Sequence, residues 1–211
     1  MNMLKYNYDS VRYPFDRIVK KNLGVTNLAA IEYKGDIVTQ KSDQSTDYHK
    51  LWYASDRKDF DNLYYYFVKY EVLSKLRYLF YDEEWLYQTQ PTMRFQYPGN
   101  LAVGEYHRDR DYNHSSAELN VYVPLTDVLA ANTIWIESEE GREDYTPIMA
   151  YYNEFVIFNG ANLKHGNVIN TSLDTRVSFD FRILLKSKYK PGGQTFGAGK
   201  KFEIGDYWSE L

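Results

Sequence analysis

Residues 175–185 read TRVSFDFRILL, a run of β-branched and aromatic residues that forms the last in a series of strand candidates. A regular strand repeats every two residues, so Arg176, Ser178 and Arg182 share one face. Working back from it, HGNVIN (165–170), EFVIFNG (154–160), NTIWIES (132–138) and the alternating ELNVYVPL (118–125) are further candidates. MRFQYP (93–98) and LAVGEYH (101–107) flank Gly99–Asn100 as a hairpin. Gly, Asn, Asp and Pro punctuate the series. Short strands at this spacing predict a sandwich or barrel.

The sequence before Pro91 has a different character. Phe60, Leu63, Phe67, Tyr70, Leu73, Leu76 and Phe80 recur at three- and four-residue spacing, which predicts a helix over about 59–81. IEYKGDIVTQ (31–40) reads as two short strands or one hairpin around Lys34–Gly35–Asp36. The expected architecture is mainly β (α+β): a single domain over 1–211, with a helix-containing elaboration over 1–90 and a β core over 91–190. The Gly-rich tail, 191–211, is expected to be a surface segment or lid.

Composition narrows the chemistry. The chain has 211 residues, enough for one domain with a real core, and 44% of them are hydrophobic. Cysteine is absent, which excludes disulfides, zinc–thiolate sites, iron–sulfur clusters and thiol nucleophiles. A metal would need His, Asp or Glu, and the histidines are His49, His107, His114 and His165. A net charge of −4 without a Lys/Arg run argues against nucleic acid as a partner. No signal-peptide core or membrane-spanning run is present, so a soluble cytoplasmic protein with no membrane partner is expected.

His107–Arg108–Asp109 places an imidazole and a carboxylate on one side of an extended chain. At a strand end both can bind one metal. Two histidines and one carboxylate form the facial triad of non-haem iron(II) enzymes, which leaves positions open for O2 and a cosubstrate. His-x-Asp alone is a weak signal. A third ligand from a distant strand strengthens it, and His165 follows the strand and turn VIFNGANLK. Arg176 then offers a bidentate fork to the distal carboxylate of 2-oxoglutarate, with the Ser178 hydroxyl beside it. Arg182, on the same face, is the reserve candidate for that clamp.

The run GEYHRDRDYNH, ELNVYVPLT, NTIWIESEEG and FNGANLKHGNVINTSLDTRVSFDFRI, within about residues 91–190, resembles the iron(II)/2-oxoglutarate-dependent oxygenase superfamily. Within it the run is similar to the StrG-like group of streptomycin biosynthesis, allied to phytanoyl-CoA dioxygenase-like enzymes. The resemblance implies a double-stranded β-helix (jelly roll), Fe2+, and 2-oxoglutarate and O2 as cosubstrates. It implies His107, Asp109 and His165 as iron ligands, Arg176 as the cosubstrate clamp with Ser178 assisting, and Asn120 as a cosubstrate contact. Related halogenases lack the carboxylate ligand, so Asp109 points to hydroxylation or another oxidation.

Other residues carry two readings. Arg94 is read either as binding a cosubstrate or substrate anion or as a surface arginine. Tyr112 and His114, on the loop after the metal motif, are candidates for substrate contact. Trp135 is read as core. Asn162 and Asn167 are read either as orienting His165 or as turn residues. His49 is read as structural. The expected substrate is a small polar metabolite such as a sugar or cyclitol. The competing classes are a cupin-like metalloenzyme that does not use 2-oxoglutarate and a non-catalytic carbohydrate-binding jelly roll.

Overall fold

The computed structural model describes residues 3–38, 42–81, 83–102, 105–195 and 199–211. Strands β1 (Met3–Asn7), β2 (Trp85–Gln88), β3 (Thr92–Gln96), β4 (Leu119–Pro124) and β5 (Ile134–Ile136) are followed by β6 (Thr146–Pro147), β7 (Glu154–Phe158), β8 (His165–Asn167), β9 (Arg176–Leu185) and β10 (Trp208–Glu210). Helices α1 (Phe15–Leu23), α2 (Asp47–Ala54), α3 (Lys58–Phe67) and α4 (Leu73–Leu76) precede β2 in the chain. Among the described residues the strands form a seven-stranded sheet in the order β1-β7-β4-β9-β2-β10, with β3 also on β9, and a three-stranded sheet β6-β5-β8. The fold is therefore mostly sheet with a few helices.

β9 is the spine of the larger sheet. One of its edges pairs with β4 from Leu119↔Ile183 to Pro124↔Ser178. Its other edge is shared by β3, from Thr92↔Asp180 to Gln96↔Arg176, and β2, from Trp85↔Leu185 to Tyr87↔Ile183. The alternation along β9 sorts its side chains. Val177, Phe179, Phe181 and Ile183 enter the main hydrophobic core, while Arg176, Asp180 and Arg182 line a pocket on the other face.

The helices cover the apolar face. In α1, Phe15, Val19 and Leu23 recur every four residues and are buried; Gly24, at φ 68, ends the helix in the left-handed conformation. Phe15 packs on Phe179 at 4.9 Å between ring centroids, and Phe60 of α3 reaches the same ring at 5.4 Å. Tyr64 meets Phe181 at 5.0 Å and Phe67 meets Phe155 at 5.5 Å. A π-helical stretch, Val68–Val72, joins α3 to α4. Its wider turn lets the adjacent pairs Phe67–Val68 and Val72–Leu73 all be buried.

Several elements differ from the expected ones. The helix predicted to Tyr81 stops at Leu76, and 77–81 form turns. Residues 31–38 contain no strand; Ile31 accepts from the Thr175 hydroxyl and Val38 N–H donates to Asn100 Oδ1, so side chains satisfy this backbone in place of a partner strand. Residues 39–40 of that expected hairpin lie outside the described ones. Gly99, at φ 73, makes the predicted turn, but its return leg is irregular, with one bridge at His107↔His165; residues 103–104 there also lie outside the described ones. The tail is not wholly a surface segment, since β10 pairs with β2 and buries Tyr207 and Trp208. Among the described residues no helix is long and apolar enough to cross a membrane.

His49 is fully buried; its Nδ1 lies 2.7 Å from Thr46 Oγ1, which lies 2.8 Å from the Tyr97 hydroxyl. Burial pulls its pKa down from 6.5 to about 4, with Asp43 opposing. Above pH 6.5 folded and unfolded states both carry it neutral. As pH falls towards 4 the unfolded chain alone takes up the proton, so stability is lost across that window. Between pH 7 and 5 we expect wild type to lose about 2 kcal/mol more than His49→Gln in urea unfolding; equal losses would refute the assignment. Phe179→Ala should cost about 3–5 kcal/mol, from the buried area and the cavity left among the rings. An effect below 1 kcal/mol in the same assay would show that the ring cluster does not hold the helices to the sheet.

Candidate active site

The polar face of the large sheet forms one wall of a pocket, and the small sheet forms the other. Arg94 of β3, Asn120 and Tyr122 of β4, Phe158 of β7 and Arg176, Asp180 and Arg182 of β9 line the first wall. Ile134 of β5 and His165, Gly166 and Asn167 of β8 line the second, with His107 at the junction. Register sets this order, since Asn120 sits opposite both Arg182 and Phe158, and Arg94 opposite Ser178.

His107, Asp109 and His165 converge here. One ligand atom from each lies within 4.8 Å of the others. Reciprocal backbone hydrogen bonds of 2.9 Å between His107 and His165 bring the two imidazoles side by side. Asp109 opens a short 3-10 turn, Asp109–Tyr112, and its N–H donates to Gly160 O at 3.0 Å. Each ring is oriented in the same way: His107 Nδ1 lies 2.8 Å from Glu105 O, and His165 Nδ1 lies 3.0 Å from Leu163 O. A carbonyl only accepts, so in each ring Nδ1 carries the hydrogen and the Nε2 lone pair is left free. Both Nε2 atoms face Asp109 Oδ1, at 3.5 and 3.7 Å. Two imidazole nitrogens and one carboxylate oxygen turned inward suit a divalent transition metal.

The other oxygen of Asp109 is fully engaged. Oδ2 accepts from Asn120 Nδ2 at 2.7 Å and from Arg182 Nε at 3.0 Å, with Arg182 Nη2 at 2.9 Å. Burial opposes ionisation of Asp109, but the Arg182 guanidinium beside it outweighs burial and holds the carboxyl well below its ordinary range. Burial likewise lowers the pKa of His165, keeping it neutral. Gly160 is needed at this point, because a Cβ there would come within 2.8 Å of Asn120 Oδ1.

The three arginines of the wall differ in their partners. Arg94 donates from Nε to Asp180 at 2.8 Å and from Nη1 to Asp43, so its charge is met within the protein. Arg182 is met by Asp109 and Asp180. Arg176 is 1% exposed, yet it forms no ion pair among the described residues; its Nη1 reaches Asn132 O at 3.5 Å and its Nε has no hydrogen-bond partner. Among the described residues, Ser178 Oγ, Tyr122 OH and Asn120 Oδ1 are also buried without partners. Such groups are costly unless a ligand satisfies them.

The remaining candidates fall outside this centre or at its edge. Tyr112 stands edge-on to His107 at 5.1 Å between ring centroids. His114 does not line the pocket; its Nδ1 lies 2.7 Å from Glu118 and its ring packs on Phe202 and Tyr207, against the reading of a free substrate contact. Asn167 donates to Thr133 O and Asn162 to Ser116 O, so neither orients the His165 ring, which a carbonyl holds instead. Trp135 is half-exposed rather than core. Tyr122 was missed. Its place two residues after Asn120 on an alternating strand was the available signal.

No family model matches the chain. The streptomycin biosynthesis protein StrG of Streptomyces griseus is 36% identical to it over 214 residues, covering 99% of this chain and all of that one. The chain belongs to the StrG family. Its fold is also found in solved non-haem enzymes. The nickel complex of the non-haem monooxygenase ThoJ superposes with a TM-score of 0.60 at 13% identity, over 92% of this chain and 79% of that one. The α-ketoglutarate-dependent epimerase SnoN and carbocyclase SnoK, both from nogalamycin biosynthesis, give 0.56 and 0.54 at 11% and 14% identity. Each covers 87% of this chain, which spans 77% of SnoN and 80% of SnoK. In this StrG-family protein, Asp109→Asn should lower the stability of the metal-free form by about 3 kcal/mol, because it leaves the Arg182 charge buried with Asp180 alone. Urea unfolding in chelator checks this, and an unchanged midpoint would mean that the pair is solvated in solution.

Proposed function

We propose that this chain is an iron(II)- and 2-oxoglutarate-dependent oxygenase on a double-stranded β-helix (jelly-roll) core. His107, Asp109 and His165 would hold the iron. Arg176 and Ser178 would grip the distal carboxylate of 2-oxoglutarate, with Tyr122 and the free oxygen of Asn120 beside them. The observation that carries this reading is the pairing of two incomplete sets at one pocket: three inward-facing donor atoms, and a buried guanidinium with no ion pair among the described residues. A metal completes the first and a dianionic keto acid completes both.

Iron with 2-oxoglutarate and O2 supplies an oxidant strong enough to break a substrate C–H bond, releasing succinate and CO2. The residues of the chain position these partners and keep the pocket dry. We take the reaction to be hydroxylation of a small polar metabolite such as a sugar or cyclitol, in the cytoplasm, without nucleic acid or membrane as partner. Support for a metabolite comes from the role of StrG in streptomycin biosynthesis and from the polar pocket wall.

Anaerobic addition of Fe(II) and then 2-oxoglutarate to the apo-protein should produce the weak visible charge-transfer band of a chelated keto acid. His165→Ala should abolish it, and Arg176→Met should weaken 2-oxoglutarate binding by about 100-fold or more, the cost of a lost buried charge pair. Iron binding without any band would favour the cupin-like alternative. Binding of neither would leave a non-catalytic carbohydrate-binding jelly roll.

A further inference from the structure

Arg182 was a candidate for gripping the cosubstrate, but its guanidinium is committed to Asp109. Nε and Nη2 both point at Asp109 Oδ2, at 3.0 and 2.9 Å. The guanidinium is held in turn from behind. Gln88 Nε2 donates to Gln90 O at 2.6 Å, which fixes the amide so that Oε1 faces the site. That oxygen accepts from Arg182 N at 3.2 Å, from Arg182 Nη1 at 3.5 Å and from the Tyr207 hydroxyl at 3.0 Å. Tyr207 is buried beside Phe202, Trp208 and His114, so a residue near the C-terminus completes an arrangement that begins at the candidate metal ligands.

The consequence concerns how many oxygens Asp109 can offer. Oδ2 already faces two guanidinium N–H groups and the Asn120 amide, which uses its accepting capacity. Oδ1 faces the two Nε2 atoms. Two histidines and one carboxylate oxygen leave three of six positions on an octahedral metal, enough for a bidentate keto acid and O2. A carboxylate bound through both oxygens would leave two, and one reactant would be shut out. Neutralisation of Asp109 by Arg182 has a second effect: it preserves the positive charge of the metal for an anionic cosubstrate.

We propose that Arg182, oriented by Gln88 and Tyr207, is a positioning residue that saturates Oδ2 of Asp109 and limits Asp109 to a single metal-binding oxygen. This rests on the metal reading above. Arg182 acts through Asp109.

The test uses Co(II) in place of iron and adds azide to the Co(II)–2-oxoglutarate complex, reading the azide-induced change in the visible spectrum and the affinity for azide, which can add only where a position beyond the keto acid is left. Arg182→Lys keeps the charge but loses the fork. We expect Co(II) and 2-oxoglutarate still to bind, with a smaller azide-induced spectral change than wild type and azide affinity reduced about tenfold or more. Tyr207→Phe keeps the ring packing and removes only the hydroxyl, so it should shift both readouts in the same direction by a smaller amount. It also decides the matter if Arg182→Lys does not fold. Wild-type spectra and affinity in the folded Arg182→Lys variant, or in Tyr207→Phe where Lys does not fold, would overturn the proposal. Failure of the wild-type protein itself to bind Co(II) would overturn the metal reading, and the positioning role with it.

Discussion

Everything in this molecule is organised by the two-residue repeat of one central strand. β9 has partner strands on both edges, and eight of its ten residues are buried. Its odd positions are Val, Phe, Phe and Ile, which require an apolar cover, and the first three helices with their aromatic rings provide it. Its even positions are Arg, Ser, Asp and Arg, which require polar partners in a place that water reaches poorly. The helical layer and the pocket are thus two answers to one alternation, on opposite faces of residues 176–183; Leu184 ends it by packing with Phe202, Tyr207 and Trp208.

How the polar face satisfies itself decides what the pocket can bind. Asp43, Arg94, Asp180, Arg182 and Asp109 form a chain of alternating charge that runs from the 3-10 turn Asp43–Ser45 to the candidate metal ligands. Asp180 serves two arginines. Arg176 lies at the other end of the strand; two residues span about 6.6 Å, so Ser178 is its neighbour on this face and Asp180 is about 13 Å away. The chain of pairs therefore cannot extend to it. Among the described residues the Arg176 guanidinium is therefore left without an ion pair, an outcome of strand geometry.

Legibility in the sequence followed the range of the interaction. His107, Asp109 and His165 were readable because a short-range motif, a strand-sized gap and a turn are local features. The shared face of Arg176, Ser178 and Arg182 was readable from the period of a strand. The partner of Arg182 was not, because it depends on β4 lying beside β9 in a register that puts Asn120 opposite Arg182 and on the turn that lifts Asp109 to meet them. β1 and β10 were missed for a related reason. Met3–Asn7 is an edge strand with no buried residue, and Trp208–Glu210 has only three residues, so neither carries a hydrophobic pattern of its own. Lys34–Gly35–Asp36 shows the converse error. A good turn signal does not make a hairpin when its flanks find other hydrogen-bond partners.

The same long-range dependence explains why the two ends of the chain matter to a pocket built mainly from its middle. Asp43 reaches Arg94 from the segment before α2, and Tyr207 reaches Gln88 from the segment before β10. Each contacts an arginine or the amide beside one, and neither lines the pocket. Long arginine side chains hold a fixed direction in a buried site only when both ends of the guanidinium are met, and a single strand cannot supply donors and acceptors on every side. Residues from distant segments supply the missing sides. These distant segments therefore fix the directions of Arg94 and Arg182, and among the described residues Arg176 is left as the cation of the wall without an ion pair.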